Sequence, residues 1–69
     1  KIGLVLRENT YAAARNADGN YVCAGCGEVF PTRTYLQVDH IIPMAKGGLT
    51  VQDNLQVLYR TCNMRKSDK

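Results

Sequence analysis

The sequence is poor in the large residues that usually fill a protein core. It has no Trp and a single Phe among its 69 residues, so its four Tyr supply most of the aromatic surface. A chain of this length buries a modest share of its surface, and such domains often depend on a disulfide, a metal ion or a partner for stability. We therefore expect a thin core built from short Ile, Leu and Val runs and from the tyrosines.

Long apolar runs and an even cysteine count are also missing. The segment IGLVL at residues 2–6 is much shorter than the ~20 residues of a membrane-spanning helix, so we expect no membrane partner. No secretory signal pattern is visible. An odd number of cysteines, three, does not form a closed disulfide framework. We therefore expect the cysteines to be free thiols or metal ligands in a reducing compartment, which favours a cytoplasmic protein.

Positive charge is in mild excess. Nine Lys or Arg residues against six Asp or Glu residues give a net charge of +3, which permits nucleic-acid binding without requiring it. The C-terminal segment at positions 60–69 is the most basic part of the chain, with Arg60, Arg65, Lys66 and Lys69. From charge alone, a solvated C-terminal helix is the favoured interpretation of this basic segment.

Turn residues and apolar spacing predict the order helix, knuckle hairpin, strand, long loop, strand, helix. The predicted segments are a helix at 8–17 stopped by the turn ADGN, two short strands within 21–30, a strand at 35–42 ended by Pro43, a loop with a Gly-Gly turn, a short helix opened by a capping box at 50–53, a strand at 55–59 antiparallel to 35–42, and a helix at 60–69. Gly25 and Gly27 are expected to take positive φ angles that turn backbone amides toward sulfur ligands.

Cys23 and Cys26, in the segment CAGC, have the spacing of a metal knuckle. Cys62, far along the chain, is the candidate third ligand, although a single cysteine is often only a small buried hydrophobe. Tetrahedral structural zinc sites use four ligands, and an ion that joined these residues would contribute directly to folding. A redox pair is disfavoured because no βαβ pattern surrounds the two cysteines.

Asp39 and His40 are adjacent, and His40 is the only histidine. Neighbouring residues of a strand point to opposite faces, so these two share a pocket only where the strand ends or twists, as Pro43 predicts here. A lone histidine is by default a surface or satisfied core residue, but beside an aspartate at a strand end it is a candidate general base. Asn54 and Asn63 alone are ordinary turn and helix-start residues.

Together these residues are much more specific than any one of them. The strings CAGC, VDHIIPMAKGG, DNLQVL and CNMRK resemble, in order and spacing, the HNH endonuclease family of the ββα-metal (His-Me finger) type over about residues 23–66. The resemblance implies a small α+β fold, with an antiparallel hairpin and a C-terminal helix preceded by a short helix and a CxxC knuckle. It also implies one nuclease domain at 1–69, divided into an N-terminal helix and turn at 1–20 and the knuckle and ββα core at 21–69.

The resemblance assigns a role to each polar residue of a DNA-cutting site. Asp39 and Asn63 would hold a catalytic Mg²⁺ or Mn²⁺, which carboxylate and amide oxygens suit. His40 would be the general base that takes a proton from the attacking water, and Asn54 would hold the loop and orient that base. The basic residues near the C-terminus would contact DNA phosphates: Arg60, Arg65 and Lys66.

By resemblance Cys23, Cys26 and Cys62 match three of the four zinc cysteines of the family, and Tyr59 occupies the position of the fourth. A phenol is a poor zinc ligand at neutral pH because its ordinary pKa is about 10. Three interpretations stay open: zinc held by three cysteines plus water or another side chain, a metal-free knuckle with Tyr59 packed in place of zinc, or a cysteine replaced in this chain. We expect some zinc to bind.

Two functions therefore compete. A metal-dependent endonuclease that hydrolyses DNA phosphodiester bonds uses the Asp, His and Asn set, whereas a non-catalytic zinc-ribbon-like nucleic-acid-binding module leaves that set without a purpose. Specific protein–DNA interfaces bury more than roughly 1,000 Å². We therefore expect any sequence specificity to come from a flanking domain, a partner or dimerisation.

Overall fold

The structure, a computed structural model, describes residues 2–67. Its elements are α1 (Leu4–Ala13), β1 (Tyr21–Val22), β2 (Val29–Phe30), β3 (Leu36–His40), β4 (Leu55–Tyr59) and α2 (Arg60–Ser67), with 3₁₀ turns at Met44–Lys46 and Gln52–Asn54. Strand β1 pairs with β2, and β3 pairs with β4, both antiparallel. The predicted α+β fold, with a hairpin followed by a C-terminal helix, is confirmed.

The two helices differ in their bounds from the sequence predictions. Helix α1 begins at Leu4 and ends earlier than the predicted helix at 8–17. Beyond its end the side-chain oxygen of Asn16 accepts the backbone N–H groups of Asp18 and Asn20, each at 3.0 Å. This Asx-type turn competes with continued helix, and the sequence prediction did not weigh it.

Helix α2 follows β4 with no connecting residue, since Tyr59 ends the strand and Arg60 begins the helix. The predicted helix at 60–69 is observed up to Ser67, and Asp68 and Lys69 lie outside the described residues. Within residues 2–67 no helix is long and apolar enough to cross a membrane.

Strands β3 and β4 divide the core between two faces. On one face Leu36 and Val57 are buried together with Tyr11 of α1, whose hydroxyl donates to the Leu36 carbonyl at 3.1 Å. Partly buried side chains surround this cluster: Ala14, Tyr21, Phe30, Val38 and Tyr59. The core thus rests on tyrosines and on Leu and Val residues, as expected, but the expected contribution of Ile was wrong for Ile41 and Ile42, which are exposed.

The opposite face of the hairpin lies under α2 and carries polar side chains together with buried Leu58. Because side chains alternate along a strand, Gln37 and Asp39 share this face of β3, and the register places Gln56 of β4 opposite Asp39. Asn63 donates to Gln37, and Lys66, one turn further along α2, donates to Asp39. Alternation on β3 therefore sends an apolar row toward α1 and a polar row toward α2.

The long connection between β3 and β4 departs from two predictions. Strand β3 ends at His40. Beyond it, the Ile41 N–H donates to the backbone oxygen of Asn54 at 2.8 Å, and the Ile42 N–H donates to the side-chain oxygen of Asn54 at 2.9 Å. The predicted strand at 35–42 was therefore too long. The predicted capping box was wrong, since no side chain caps the short turn at Gln52–Asn54.

Candidate active site and cysteine cluster

Asp39 and His40 line the same cleft although they are adjacent in sequence. His40 is the last residue of β3, so the alternation that would separate the two side chains ends there. The cleft has a volume of about 440 Å³, and its other walls come from the turn after β3 and from α2: Pro43, Met44, Ala45, Lys46 and Lys66. One carboxylate, one imidazole and the side chains of two lysines thus line one cleft at the end of the hairpin.

The Asp39 carboxylate forms an ion pair with Lys66. Its Oδ2 atom lies 3.0 Å from the Lys66 ammonium and also accepts from the Gln56 amide at 3.2 Å. The same ammonium donates to the backbone carbonyl of His40 at 2.7 Å. The side chains of Asp39 and Lys66 are 19% and 30% exposed, so water screens their attraction only in part.

His40 is held through one ring nitrogen. Its Nε2 atom lies 2.9 Å from the Thr50 hydroxyl. When Nε2 carries the proton and donates to Thr50, the lone pair of Nδ1 is free to accept a proton. Thr50 is thus a partner of the histidine and not the helix cap that the sequence predicted, which is why the capping box fails.

Asn54 fastens the loop that follows His40. Its amide nitrogen donates to the carbonyls of Ile42 and Leu49, at 3.1 and 2.8 Å, while its amide oxygen accepts the Ile42 N–H at 2.9 Å. The loop also closes tightly at Gly48, where an added Cβ would lie 1.7 Å from the Ile42 carbonyl oxygen. Asn54 therefore joins both ends of the loop on which Thr50 reaches His40.

Asn63 lies on the same side of the hairpin as Asp39, but its observed partner is Gln37. The Asn63 amide nitrogen donates to the Gln37 side-chain oxygen, so this bond leaves the Asn63 carbonyl oxygen available to another partner. Asn63 and Lys66 are three residues apart on α2, and Gln37 and Asp39 are two apart on β3. Helix and strand therefore present matching pairs of polar side chains.

The three basic residues expected to contact DNA differ in their exposure and in their contacts within the protein. Arg60 and Arg65 are exposed on α2, whereas Lys66 is bound to Asp39 and to the His40 backbone. Two of the three side chains are thus presented to solvent, and the third belongs to the cleft.

The three cysteines converge, and they are free thiols. The sulfur atoms of Cys23, Cys26 and Cys62 all lie within 4.8 Å of one another. Zinc–sulfur bonds are about 2.3 Å long, so the three sulfurs need little movement to surround one ion. The three cysteines are therefore positioned to bind a metal.

The knuckle needs glycine at two positions for different reasons. Gly27 has a φ of 76°, as predicted, but the positive φ predicted for Gly25 was wrong. At Gly25 the neighbouring side chains leave little room, since an added Cβ would lie 3.2 Å from the Cys62 Cβ and 3.2 Å from the Leu58 side chain. The small residue lets the knuckle approach α2 closely enough for Cys62 to join the cluster.

Two thiols of the cluster have pKa values that their surroundings shift in opposite directions. Burial by itself would raise the pKa of Cys23, but backbone N–H groups of Tyr59, Cys26 and Gly25 stabilise its thiolate and lower the pKa to about 7. The Tyr59 and Gly25 amides donate to the sulfur at 3.2 and 3.3 Å. Burial and the neighbouring cysteines raise the pKa of Cys62 to about 11. Of these two thiols, Cys23 is therefore the more readily ionised and the more ready to bind a cation.

Several polar partners of the site were absent from the sequence interpretation. Thr50, Gln37 and Gln56 were not assigned to it, although the alternation in LQVDH places Gln37 on the face of Asp39 and could have indicated its position. Thr50 gave no such signal, since its bond with His40 joins residues that are ten apart across an irregular loop.

Comparison with known proteins agrees with this architecture. No curated protein and no solved structure matches the chain at a significant level. The family model described as HNH endonuclease matches residues 23–69, a segment that contains the cysteine cluster, the β3–β4 hairpin and α2. The resemblance seen in the sequence is confirmed, and the chain belongs to the HNH endonuclease family.

Proposed function

We propose that this chain is a metal-dependent endonuclease that hydrolyses DNA phosphodiester bonds. Membership of the HNH family indicates a nuclease-type function, and nucleases of this family act on DNA. The observation that most supports the proposal is that Asp39 and His40 line one cleft, where the Asp39 carboxylate pairs with the Lys66 ammonium. A non-catalytic binding module has no use for this arrangement.

His40 is the general base in this proposal. Thr50 fixes its Nε2 side, and Nδ1 takes the proton from the water that attacks phosphorus. Histidine is the side chain that most often serves as a general base in enzymes. Asn54 contributes indirectly, because it holds the loop that carries Thr50.

The residues fit a hard divalent cation. Asp39 and Asn63 would hold Mg²⁺ or Mn²⁺, since their carboxylate and carbonyl oxygens are the donors that these ions prefer. The Lys66 ammonium on Asp39 supports this assignment, since the carboxylate already pairs with a positive charge in the cleft. When bound, the ion would neutralise the charge that develops on the phosphoryl group and the leaving oxygen.

Exposed Arg60 and Arg65 would bind the DNA backbone beside the cleft. Phosphate contacts place the protein on the duplex but carry little sequence information. We therefore assign specificity, where it exists, to a flanking domain, a partner or dimerisation. A single discrete cleavage site produced by this chain alone would contradict that part of the proposal.

The cysteine cluster would hold a structural zinc through Cys23, Cys26 and Cys62, the soft donors that zinc accepts. Four thiolates are usual in closed sites, so water or another group would complete the coordination. Elemental analysis of the purified protein should give about one zinc per chain, and a ratio near zero would refute this site.

Cleavage of supercoiled plasmid in Mg²⁺ or Mn²⁺ tests the nuclease itself. The protein should convert the plasmid to nicked or linear forms, and His40→Ala should lose about 10²- to 10⁴-fold in rate, the usual contribution of a general base. His40→Gln is the sharper variant, because its amide can still meet the Thr50 hydroxyl while it offers no base at the Nδ1 position.

The same assay separates the two functions. Equal inactivity of the unmodified protein and His40→Ala, together with retained DNA binding in a mobility-shift assay, would exclude the endonuclease and favour the binding module. Circular dichroism of each variant shows that a lost activity is not a lost fold.

A further inference from the structure

Lys66 pairs with the Oδ2 atom of Asp39, so a divalent ion on the same carboxylate would lie beside an ammonium group. We infer that Lys66 is an internal counter-ion that opposes ion binding until it leaves Asp39, and that a DNA phosphate, by accepting the released ammonium, couples DNA binding to ion binding. The inference rests on the proposed function for the identity of the ion and of the DNA. It adds that the free protein binds the ion weakly because of one named residue.

The contacts of Lys66 are those of a positioned cation. Its ammonium bonds to the Asp39 Oδ2 at 3.0 Å and to the His40 carbonyl at 2.7 Å. Gln56 donates to the same oxygen from the facing strand at 3.2 Å. The carboxylate is thus approached from α2 and from β4 before any ion arrives.

Charge repulsion sets the two cations against each other. Mg²⁺ sits about 2.0–2.1 Å from a carboxylate oxygen, and the Lys66 ammonium nitrogen is 3.0 Å from Oδ2 of the same carboxylate. An ion on Asp39 would therefore lie close to a positive charge inside a partly buried pair, where salt screens repulsion weakly. Movement of the ammonium relieves this repulsion, and its flexible four-carbon stem allows it.

The released ammonium remains inside the cleft, where the proposed substrate would lie. Lys66 is itself a wall of that cleft, and an ammonium is a common partner of phosphate oxygens. DNA would thus remove the competitor of the ion, and the ion would favour DNA by the same factor, because such coupling is reciprocal.

Mn²⁺ binding measured by electron paramagnetic resonance on the zinc-loaded protein tests this without turnover. Lys66→Met should bind Mn²⁺ about tenfold more tightly than the unmodified protein in the absence of DNA, within the range of about 5- to 150-fold that is typical of coupled sites. A phosphorothioate duplex, which resists cleavage, should tighten Mn²⁺ binding to the unmodified protein and leave Lys66→Met nearly unchanged.

Arg7→Met is the matched control. It removes one positive charge from α1, where the side chain is exposed and is not among the residues that line the cleft. Its Mn²⁺ affinity should stay close to that of the unmodified protein. Equal affinities of Lys66→Met and Arg7→Met, without DNA, would overturn the inference. Asp39→Asn should abolish Mn²⁺ binding, and binding that survives it would overturn the inference as well.

A second variant guards against loss of fold. Lys66→Gln keeps an N–H donor for the His40 carbonyl while it removes the charge, and it should also tighten Mn²⁺ binding. The two proposals fail separately. Tighter Mn²⁺ binding by a protein that never cuts DNA refutes the endonuclease alone, whereas cleavage with no gain in Lys66→Met or Lys66→Gln refutes the counter-ion alone.

Discussion

Tyr59 stacks on Phe30, with ring centroids 4.9 Å apart and ring planes at 25°, while its backbone N–H donates to the Cys23 sulfur at 3.2 Å. Tyr59, to which the resemblance assigns the position of a fourth zinc cysteine, therefore contacts the cluster through its backbone. Its side chain joins the aromatic edge of the core instead. The cluster and the core are thus joined at one residue.

Truncation of Tyr59 should therefore cost stability and leave metal binding intact. Tyr59→Ala removes the stack and part of the buried surface, so we expect the free energy of unfolding to fall by about 2 kcal/mol. Urea denaturation of the zinc-loaded protein measures the loss, and elemental analysis should give the same zinc content as before. Tyr59→Phe keeps the stack and should be nearly neutral, and loss of zinc from Tyr59→Ala would contradict this division of labour.

The Thr50 hydroxyl should matter for rate more than for stability. Thr50→Val keeps the shape of the side chain but removes the bond to His40 Nε2. A neutral hydrogen bond contributes about 1 kcal/mol, so we expect the cleavage rate to fall about fivefold. Thr50→Ser retains the hydroxyl and is the control. A rate for Thr50→Val equal to that of the unmodified protein would show that the histidine needs no such partner.

Asn54 should control the order of the loop between β3 and β4. Asn54→Ala loses three side-chain hydrogen bonds, which predicts a loss of about 3 kcal/mol in unfolding free energy at about 1 kcal/mol each. Asn54→Asp keeps an acceptor for the Ile42 N–H but no donor for the two carbonyls. Hydrogen exchange should therefore remain slow at Ile42 and become faster at Gly48, whose N–H donates to the Pro43 carbonyl inside this loop at 3.0 Å. Unchanged exchange at Gly48 would contradict the role of the amide donors.

The lowered pKa of Cys23 predicts how zinc binding depends on pH. Below pH 7 the ion must displace the proton of this thiol, whereas above pH 7 the thiolate already exists. Isothermal titration in buffers of different ionisation enthalpy should show the number of protons released per zinc falling by about one as pH rises from 6 to 8. The short peptide CAGC, which lacks the Tyr59 amide, should show no such step near pH 7. A constant number of released protons in the protein would contradict the assignment.

The same shift has a consequence for the zinc-free protein. Because the folded pKa of Cys23 lies below that of an unfolded thiol, its thiolate contributes stability that is present at high pH and is lost as pH falls through about 7. The raised pKa of Cys62 acts in the opposite direction, since the neutral thiol is favoured until pH rises toward about 11. Zinc-free protein should therefore become less stable on acidification through neutrality.

Local sequence patterns predicted the elements well because the signals are themselves local. Alternating apolar residues predict β3 and β4, and the turn ADGN predicts the end of the first helix region. The exact end of α1 was missed because the Asn16 side chain competes for backbone amides. Such competition depends on geometry that residue type alone does not fix.

The polar contacts of the candidate site were harder to predict because they join distant residues. Lys66 meets Asp39 only after the hairpin and α2 have packed, and Thr50 meets His40 only because a closed loop returns to the strand end. Both residues had ordinary local explanations, as a DNA contact and a helix cap. Family resemblance named Asp39 and His40, but the partners of these residues follow from tertiary packing.

Helix α2 continues β4 without a loop and carries one member of the cysteine cluster and one wall of the cleft. Cys62 precedes Lys66 by about one turn of that helix. The position of one short helix therefore sets both the approach of Cys62 to the other two cysteines and the approach of the Lys66 ammonium to Asp39.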